Sequence, residues 1–491
     1  MKKLAIYFSL FLATVLFSCN DLLETQPRQS IDADIALTTA TGVNGVLNAV
    51  YGAYRSGTNY GTNRVILPEV LADNVINTST NNNSWRTQET NNLGTGTGAW
   101  DNNYLIILRC NLIIDAVESG IITDATAAQL AMFKGEALFF RGLAYFQLAT
   151  SYGYIPGKEV NGWKASVPII LTPTKTLQDV TYPERATNTQ VYDQIKADLT
   201  AAITVLNNTG RSSKGYVSKA AAQALLCRVS LYLNDYTATI SLANEVLGTA
   251  TINTKATSVA QTGTALVTMW RTASEKSESV WEIIYGTSDN LGTSSLQSWY
   301  TVFPKPVNAT CTGNPARSSF GDLAVSTTLL AAYDAADIRK TQLIEGPYCK
   351  GSTGYYFSNK FSGTAGTFGQ DNVMVLRTSE VLLNRAEAYA KSNQLALAVT
   401  DLNVIRSRAG LSTYVLGTPA NLVTEILLQR RLELAFEGHR WFDLIRNQSD
   451  IPKAPGLSAV SSIAYTDTRI IGSIPTAAVD ANKKLVQNPG Y

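Results

Sequence analysis

Apolar residues recur three and four apart along most of the chain, and stretches of this pattern alternate with polar segments rich in Gly, Asn, Ser and Thr. That spacing is the buried stripe of amphipathic helices. It predicts helices over residues 39–54, 100–117, 127–150, 189–206, 218–234, 237–247, 378–391, 394–408 and 422–446. A polar loop runs from 74 to 98, and its length makes it a functional candidate. From about 250 to 371 the helical pattern gives way to short apolar runs, such as 280–285, set among turn residues.

Three of the predicted helices share a motif. Leu138-Phe-Phe-Arg141 with Tyr145, Leu225-Leu-Cys-Arg228 with Tyr232, and Leu382-Leu-Asn-Arg385 with Tyr389 all read Leu-x-x-Arg-x-x-x-Tyr. The Arg and Tyr are four apart and share one helix face. In the second and third copies a short turn, at Asp235 and Asn393, leads into another Ala-rich helix. Helix pairs with small residues at the crossing are the units of tetratricopeptide-like arrays, here dispersed and not strictly periodic. The expected fold is therefore mainly α: a helix-pair scaffold over 39–249 and 377–447, an irregular loop-rich region over about 250–376, and a C-terminal segment over 448–491.

Composition narrows the function. Apolar residues make up 45% and charged residues only 16%, so uncharged polar groups dominate the surface, which suits a neutral ligand. The net charge is +2 and no basic run lies beyond the extreme N-terminus, which argues against nucleic acid. Lys2 and Lys3 precede an apolar stretch from Leu4 to Phe17, too short to span a bilayer but laid out as a secretory signal. Residues 1–18 are expected to be removed. Ser18 followed by Cys19 resembles a lipobox, making Cys19 the expected site of lipid attachment.

Four cysteines remain beyond Cys19. Cys110 and Cys227 lie in apolar helical patterns and read as buried thiols, whereas Cys311 and Cys349 lie in loop segments and are candidates to pair in an oxidising compartment. With no CxxC spacing and one histidine, no metal site is expected. His439 reads as a packed residue beside a helix end. Glu433 and Glu437, four apart among Arg430, Arg431 and Arg440, read as structural ion pairs and not as the two opposed carboxyls of a glycosidase. Nucleotide and calcium motifs are lacking, so no cofactor is expected.

Aromatic residues on loops are the remaining resource for recognition, because sugar C–H faces pack on broad rings while neighbouring polar groups meet the hydroxyls. Trp85 lies in the long polar loop with Asn82 and Arg86, and Trp299 and Tyr300 lie in the irregular region. These five are the expected ligand-binding residues. Tyr355 and Tyr356 are weaker candidates. Trp100, Trp270, Trp281 and Trp441 fall within periodic apolar patterns and read as core.

Several segments together resemble the SusD/RagB family of outer-membrane, nutrient-binding lipoproteins. They are Cys19-Asn-Asp-Leu-Leu-Glu-Thr-Gln-Pro27, Lys134 to Arg141 running on to Tyr152-Gly-Tyr-Ile-Pro156, Arg185 to Leu199, Arg377 to Arg408, Arg430 to Leu444, and the terminal Gln487-Asn-Pro-Gly-Tyr491. The resemblance implies a single SusD-like domain over 19–491, held by lipid on the extracellular face of the outer membrane. It also implies a partner, a SusC-type TonB-dependent barrel over which the protein acts as a hinged lid. On this reading the protein is not an enzyme and delivers oligosaccharide or polysaccharide. The same lid role for peptides, a surface glycosidase, and a purely structural scaffold remain alternatives.

Overall fold

The computed structural model describes residues 36–78, 84–91, 99–208, 211–248, 262–272, 274–303, 319–350, 353–363, 367–454 and 460–491. Cys19, Asn82 and Cys311 therefore lie outside the described residues. Helix Ala127–Tyr152 is the central element, with every residue from Gly135 to Tyr152 buried. Thr126 caps its start, accepting from the Gln129 amide, while the Gln129 side chain accepts from the Thr126 amide. It packs between helices Trp100–Glu118 and Asn188–Val205. Gly135 makes the second approach close enough, since a Cβ there would meet Leu206 at 2.5 Å. Helix Lys219–Tyr232 continues the stack. It leads to Tyr236–Gly248, Thr378–Lys391, Leu395–Arg408 and Pro419–Leu434, each packed on its neighbour.

The repeated motif is explained by what its arginines hold. Arg141 grips Asp198 with Nε and Nη2 at 2.9 and 2.6 Å, and Arg228 grips Glu380 the same way at 2.6 and 2.6 Å. Arg385 grips Asp401 at 2.8 and 2.7 Å. Each copy thus presents a two-pronged guanidinium to a carboxylate on another helix. Both expected turns are made by an asparagine in the left-handed region, Asn234 and Asn393, each with φ 59°. Replacing Arg385 with Met should lower stability by about 1.5–3 kcal/mol, because Asp401 would stay buried without its charged donors. Urea unfolding checks this. Restoration by Lys to the wild-type value would show that the fork geometry is irrelevant.

One predicted helix is corrected and one helix is added. The helix expected over 422–446 breaks into Pro419–Leu434 and Arg440–Arg446. Phe436 at φ 70° and Gly438 at φ 82° reverse the chain between them, and the buried carboxylate of Glu69 accepts from the amides of Gly438 and His439 at 2.9 and 3.2 Å. A partner from a distant helix wins over local periodicity here. Glu69 itself belongs to a buried helix, Asn63–Val70, absent from the predicted set.

The region expected to be irregular contains more strand than its pattern suggested. Ser279–Ile283 pairs antiparallel with Val373–Arg377, and all ten residues are buried. Trp281 on this ladder packs edge-on to Tyr54, Phe139 and Phe140, tying the region to the helical core. Further antiparallel pairs join Val75–Asn77 to Leu323–Val325, Ile344–Lys350 to Thr353–Ser358, and Ile451–Pro452 to Ser462–Ile463. The first of these shows that the loop expected over 74–98 begins as a strand. Cys110 and Cys227 are buried free thiols, and Cys349 is disulfide-bonded. Trp100, Trp270, Trp281 and Trp441 are core, as expected. No helix among the described residues is long and apolar enough to cross a membrane.

Candidate functional site

The strand pair 75–77 with 323–325 brings the two expected aromatic segments together. Thr78 donates its amide to Asp322 at 2.8 Å, and Gly321 donates to Ser298 at 2.8 Å, so the chain near Trp85 is tied through residues 319–325 to the chain near Trp299. Asn77 adds a side-chain bond to the Ser84 carbonyl at 2.5 Å. Trp85 then turns the chain with φ 65° into the short helix Arg86–Glu89, while Trp299 sits on helix Leu296–Tyr300. These residues are far apart in sequence, yet their rings meet.

The Trp85 and Trp299 centroids are 5.4 Å apart at 83°, and Trp299 lies parallel to Phe320 at 4.3 Å and 19°. Edge-to-face and offset-parallel pairs are both favourable for aromatic quadrupoles. Phe320 is 38% exposed and Phe303 is 40% exposed. Phe303 is held beside Phe320 by backbone and side-chain bonds to Ser319 and stands 5.3 Å from Phe368. The result is a row of rings, half-buried at Trp85 and open at Phe320 and Phe303. The indole N–H groups of Trp85 and Trp299 are buried without a hydrogen-bond partner among the described residues.

The support beneath Trp85 is polar and buried. Lys453 donates to the carbonyl of Leu71 at 2.8 Å and to the Asn91 side chain at 2.6 Å, pinning the end of the turn that carries Trp85. Its removal from water lowers the ammonium pKa to about 7, with the carboxylates of Glu89 and Asp73 opposing that shift. Burial pushes the Glu89 carboxyl up, against backbone donation from Asn77 and the charges of Lys453 and Arg86. Arg86 is half-buried at the start of that short helix.

Of the expected residues, Trp85 and Trp299 are thus brought together, Arg86 follows Trp85 on the short helix, and Asn82 lies outside the described residues. Tyr300 is not on this surface. It is fully buried, parallel to Phe361 at 6.1 Å and edge-on to Phe436, because adjacent residues on a helical turn point to different faces. Tyr355 packs under the site against the small cluster of Val302, Ala324 and Phe357. Phe303 and Phe320 were missed. Each is a lone aromatic flanking a long loop stretch, Thr301-Val-Phe-Pro304 and Ser318-Ser-Phe-Gly321, and their turn-rich flanks were the available signal.

The carboxylates weighed for glycosidase chemistry are committed elsewhere. Glu433 pairs with Arg377 at 2.9 Å, Arg408 at 2.5 Å and Arg339 at 3.4 Å, and Glu437 pairs with Lys360 and Arg377 at 2.6 and 2.7 Å. The structural pairing expected for them holds, but the partners differ. Arg430 instead grips Asp443, while Arg431 and Arg440 both grip Asp73. His439 is half-buried, and desolvation lowers its pKa to about 4, so it is neutral at physiological pH.

Comparison with known proteins agrees with this architecture. A family model described as "Starch-binding associating with outer membrane" matches residues 21–231, and one described as "SusD family" matches residues 341–491. The chain is 25% identical to SusD-like protein P38 of Formosa agariphila, over all of this chain and 99% of that one. A SusD superfamily protein from Bacteroides thetaiotaomicron superposes with TM-score 0.79 at 26% identity, covering 92% of this chain and 100% of that one. A "Laminarin binding SusD-like protein" superposes with TM-score 0.72 at 24% identity, covering 92% and 99%. With both halves of the scaffold matched and the whole chain aligned to such relatives, the protein belongs to the SusD/RagB family.

Proposed function

We propose that this protein captures glycans on the row of rings formed by Trp85, Trp299 and Phe320, and passes them unaltered to a SusC-type TonB-dependent barrel. The observation that carries the reading is the meeting of those rings from separate segments of the chain. Ring faces pack on pyranose C–H groups, and neighbouring polar groups meet the hydroxyls. A mature chain acylated at Cys19 would hold the site at the extracellular face of the outer membrane, in keeping with the outer-membrane association named for the matching family. The single-domain reading over 19–491 is part of the same proposal.

Calorimetry on protein lacking residues 1–19 tests this, with starch, laminarin and cellulose oligosaccharides set against a panel of short peptides. Laminarin joins the panel because a protein of the same fold is named for binding it. Saturable heat with an oligosaccharide, and no shortening of it on prolonged incubation, is the expected result. Saturable heat with peptides alone would overturn the glycan reading, and product release would overturn the non-catalytic one.

A further inference from the structure

A second concave site lies away from the row of rings, where helix Ala40–Arg55, the 211–217 loop and the chain after strand Ser279–Ile283 converge. It encloses about 420 Å³, within the range of small-molecule pockets. Its walls include Asn48, Arg55, Ser213, Tyr216, Ile284 and Asp289, and it shares no residue with the aromatic row. From this geometry we infer that the cavity binds a neutral saccharide unit, one or two sugar rings in size, with Tyr216 as the stacking platform.

Tyr216 is 36% exposed yet held in place. The Arg211 guanidinium lies over its ring at 4.4 Å, and Tyr51 meets it edge-on at 5.5 Å. Arg211 is fixed in turn by the Asn44 side chain at 2.8 Å and by Glu136 at 3.1 Å. A ring pinned in this way offers its open side without having to be ordered on binding.

The polar groups around it are mixed in kind. Arg55 and Asp289 bond to each other at 2.5 Å across the rim, so the strongest charges there already cancel. Glu282, deeper in the wall, accepts from Asn372 at 3.3 Å, and burial raises its carboxyl pKa. A free anion or cation would have to break the Arg55–Asp289 pair. A hydroxyl, which both donates and accepts, fits beside it, as it does beside the Asn48 amide and the Ser213 hydroxyl. Because Arg211 covers one face of Tyr216, a ligand stacks on the other face only.

The test uses protein lacking residues 1–19 carrying fluorinated tyrosine, with glucose, galactose, mannose, maltose, laminaribiose and lactose as probes at millimolar concentration. The Tyr216 resonance, assigned with Tyr216→Phe, should shift saturably with at least one probe. Asn48→Ala, at an exposed position, should weaken that response about tenfold, and Trp299→Ala should leave it in place. A Tyr216 signal unmoved by every probe would overturn the inference. So would a response that acetate or free phenylalanine reproduces, or one that vanishes with Trp299→Ala in a variant that still folds by circular dichroism. Because the readout sits on Tyr216, its failure leaves the calorimetric result for the aromatic row standing, and the reverse holds too.

Discussion

Trp299→Ala is expected to weaken oligosaccharide binding about thirtyfold, the loss of about 2 kcal/mol typical of a central aromatic anchor. Trp299 is the middle ring of the row, edge-on to Trp85 on one side and parallel to Phe320 on the other. Its removal releases the two rings that it orients. It is only 8% exposed, so truncation also costs stability, and the thermal midpoint must be followed alongside affinity. Phe320→Ala, at a more exposed ring, separates the two effects: affinity should fall while the midpoint barely moves. Tyr300→Phe should change neither, since that hydroxyl lies 3.5 Å from the Val65 carbonyl within the core. Unaltered affinity in both Trp299→Ala and Phe320→Ala would remove the aromatic row from the function.

The largest stability effect is expected at Glu433. Four carboxylates, from Glu278, Asp337, Glu433 and Glu437, are buried against four cations, from Arg339, Lys360, Arg377 and Arg408. Glu433 touches three of the cations, all arginines. Glu433→Gln should cost about 3–5 kcal/mol at neutral pH, because three buried arginines lose a counter-charge that no water replaces. Those arginines hold the Glu433 carboxyl well below the usual carboxylate range despite its burial. Its stabilisation is therefore fully present above the unfolded value of about 4.3 and is lost as pH falls through the depressed folded value. Denaturant unfolding at pH 7 and pH 3 checks both the size and the sign, with a smaller difference between variant and parent at the lower pH. Asp480→Asn is the control, since its pair with Lys483 is largely exposed and should contribute little. Equal stabilities for Glu433→Gln and the parent at pH 7 would mean that the cluster is not holding this part of the fold.

Much of the scaffold was legible because long amphipathic helices carry their own signal. The helices at 40–55, 127–152 and 378–391 fall within a residue or two of their predicted limits. The Leu-x-x-Arg-x-x-x-Tyr motif showed the equivalence of three helices, although not which carboxylate each arginine would meet. What failed was decided at long range. The break at 435–439 depends on Glu69, more than 360 residues earlier, and the Val75–Asn77 strand depends on a partner at 323–325. Trp85 and Trp299 stand out in the sequence as bulky rings in polar segments, and the structure brings those rings into contact. Tyr300 was placed with them on the same reasoning, and only the direction of one helical turn separates the two neighbours.

The arginine clamps also bear on when the chain can fold. Arg228 is buried on a helix that ends at residue 232, yet its carboxylate arrives on Glu380, 152 residues later. Until that stretch is made, the first half of the scaffold holds an uncompensated cation at the place where it should close, which costs several kcal/mol. Closure of the scaffold therefore waits on residues made late in synthesis, since the Arg228 clamp cannot form before Glu380 exists.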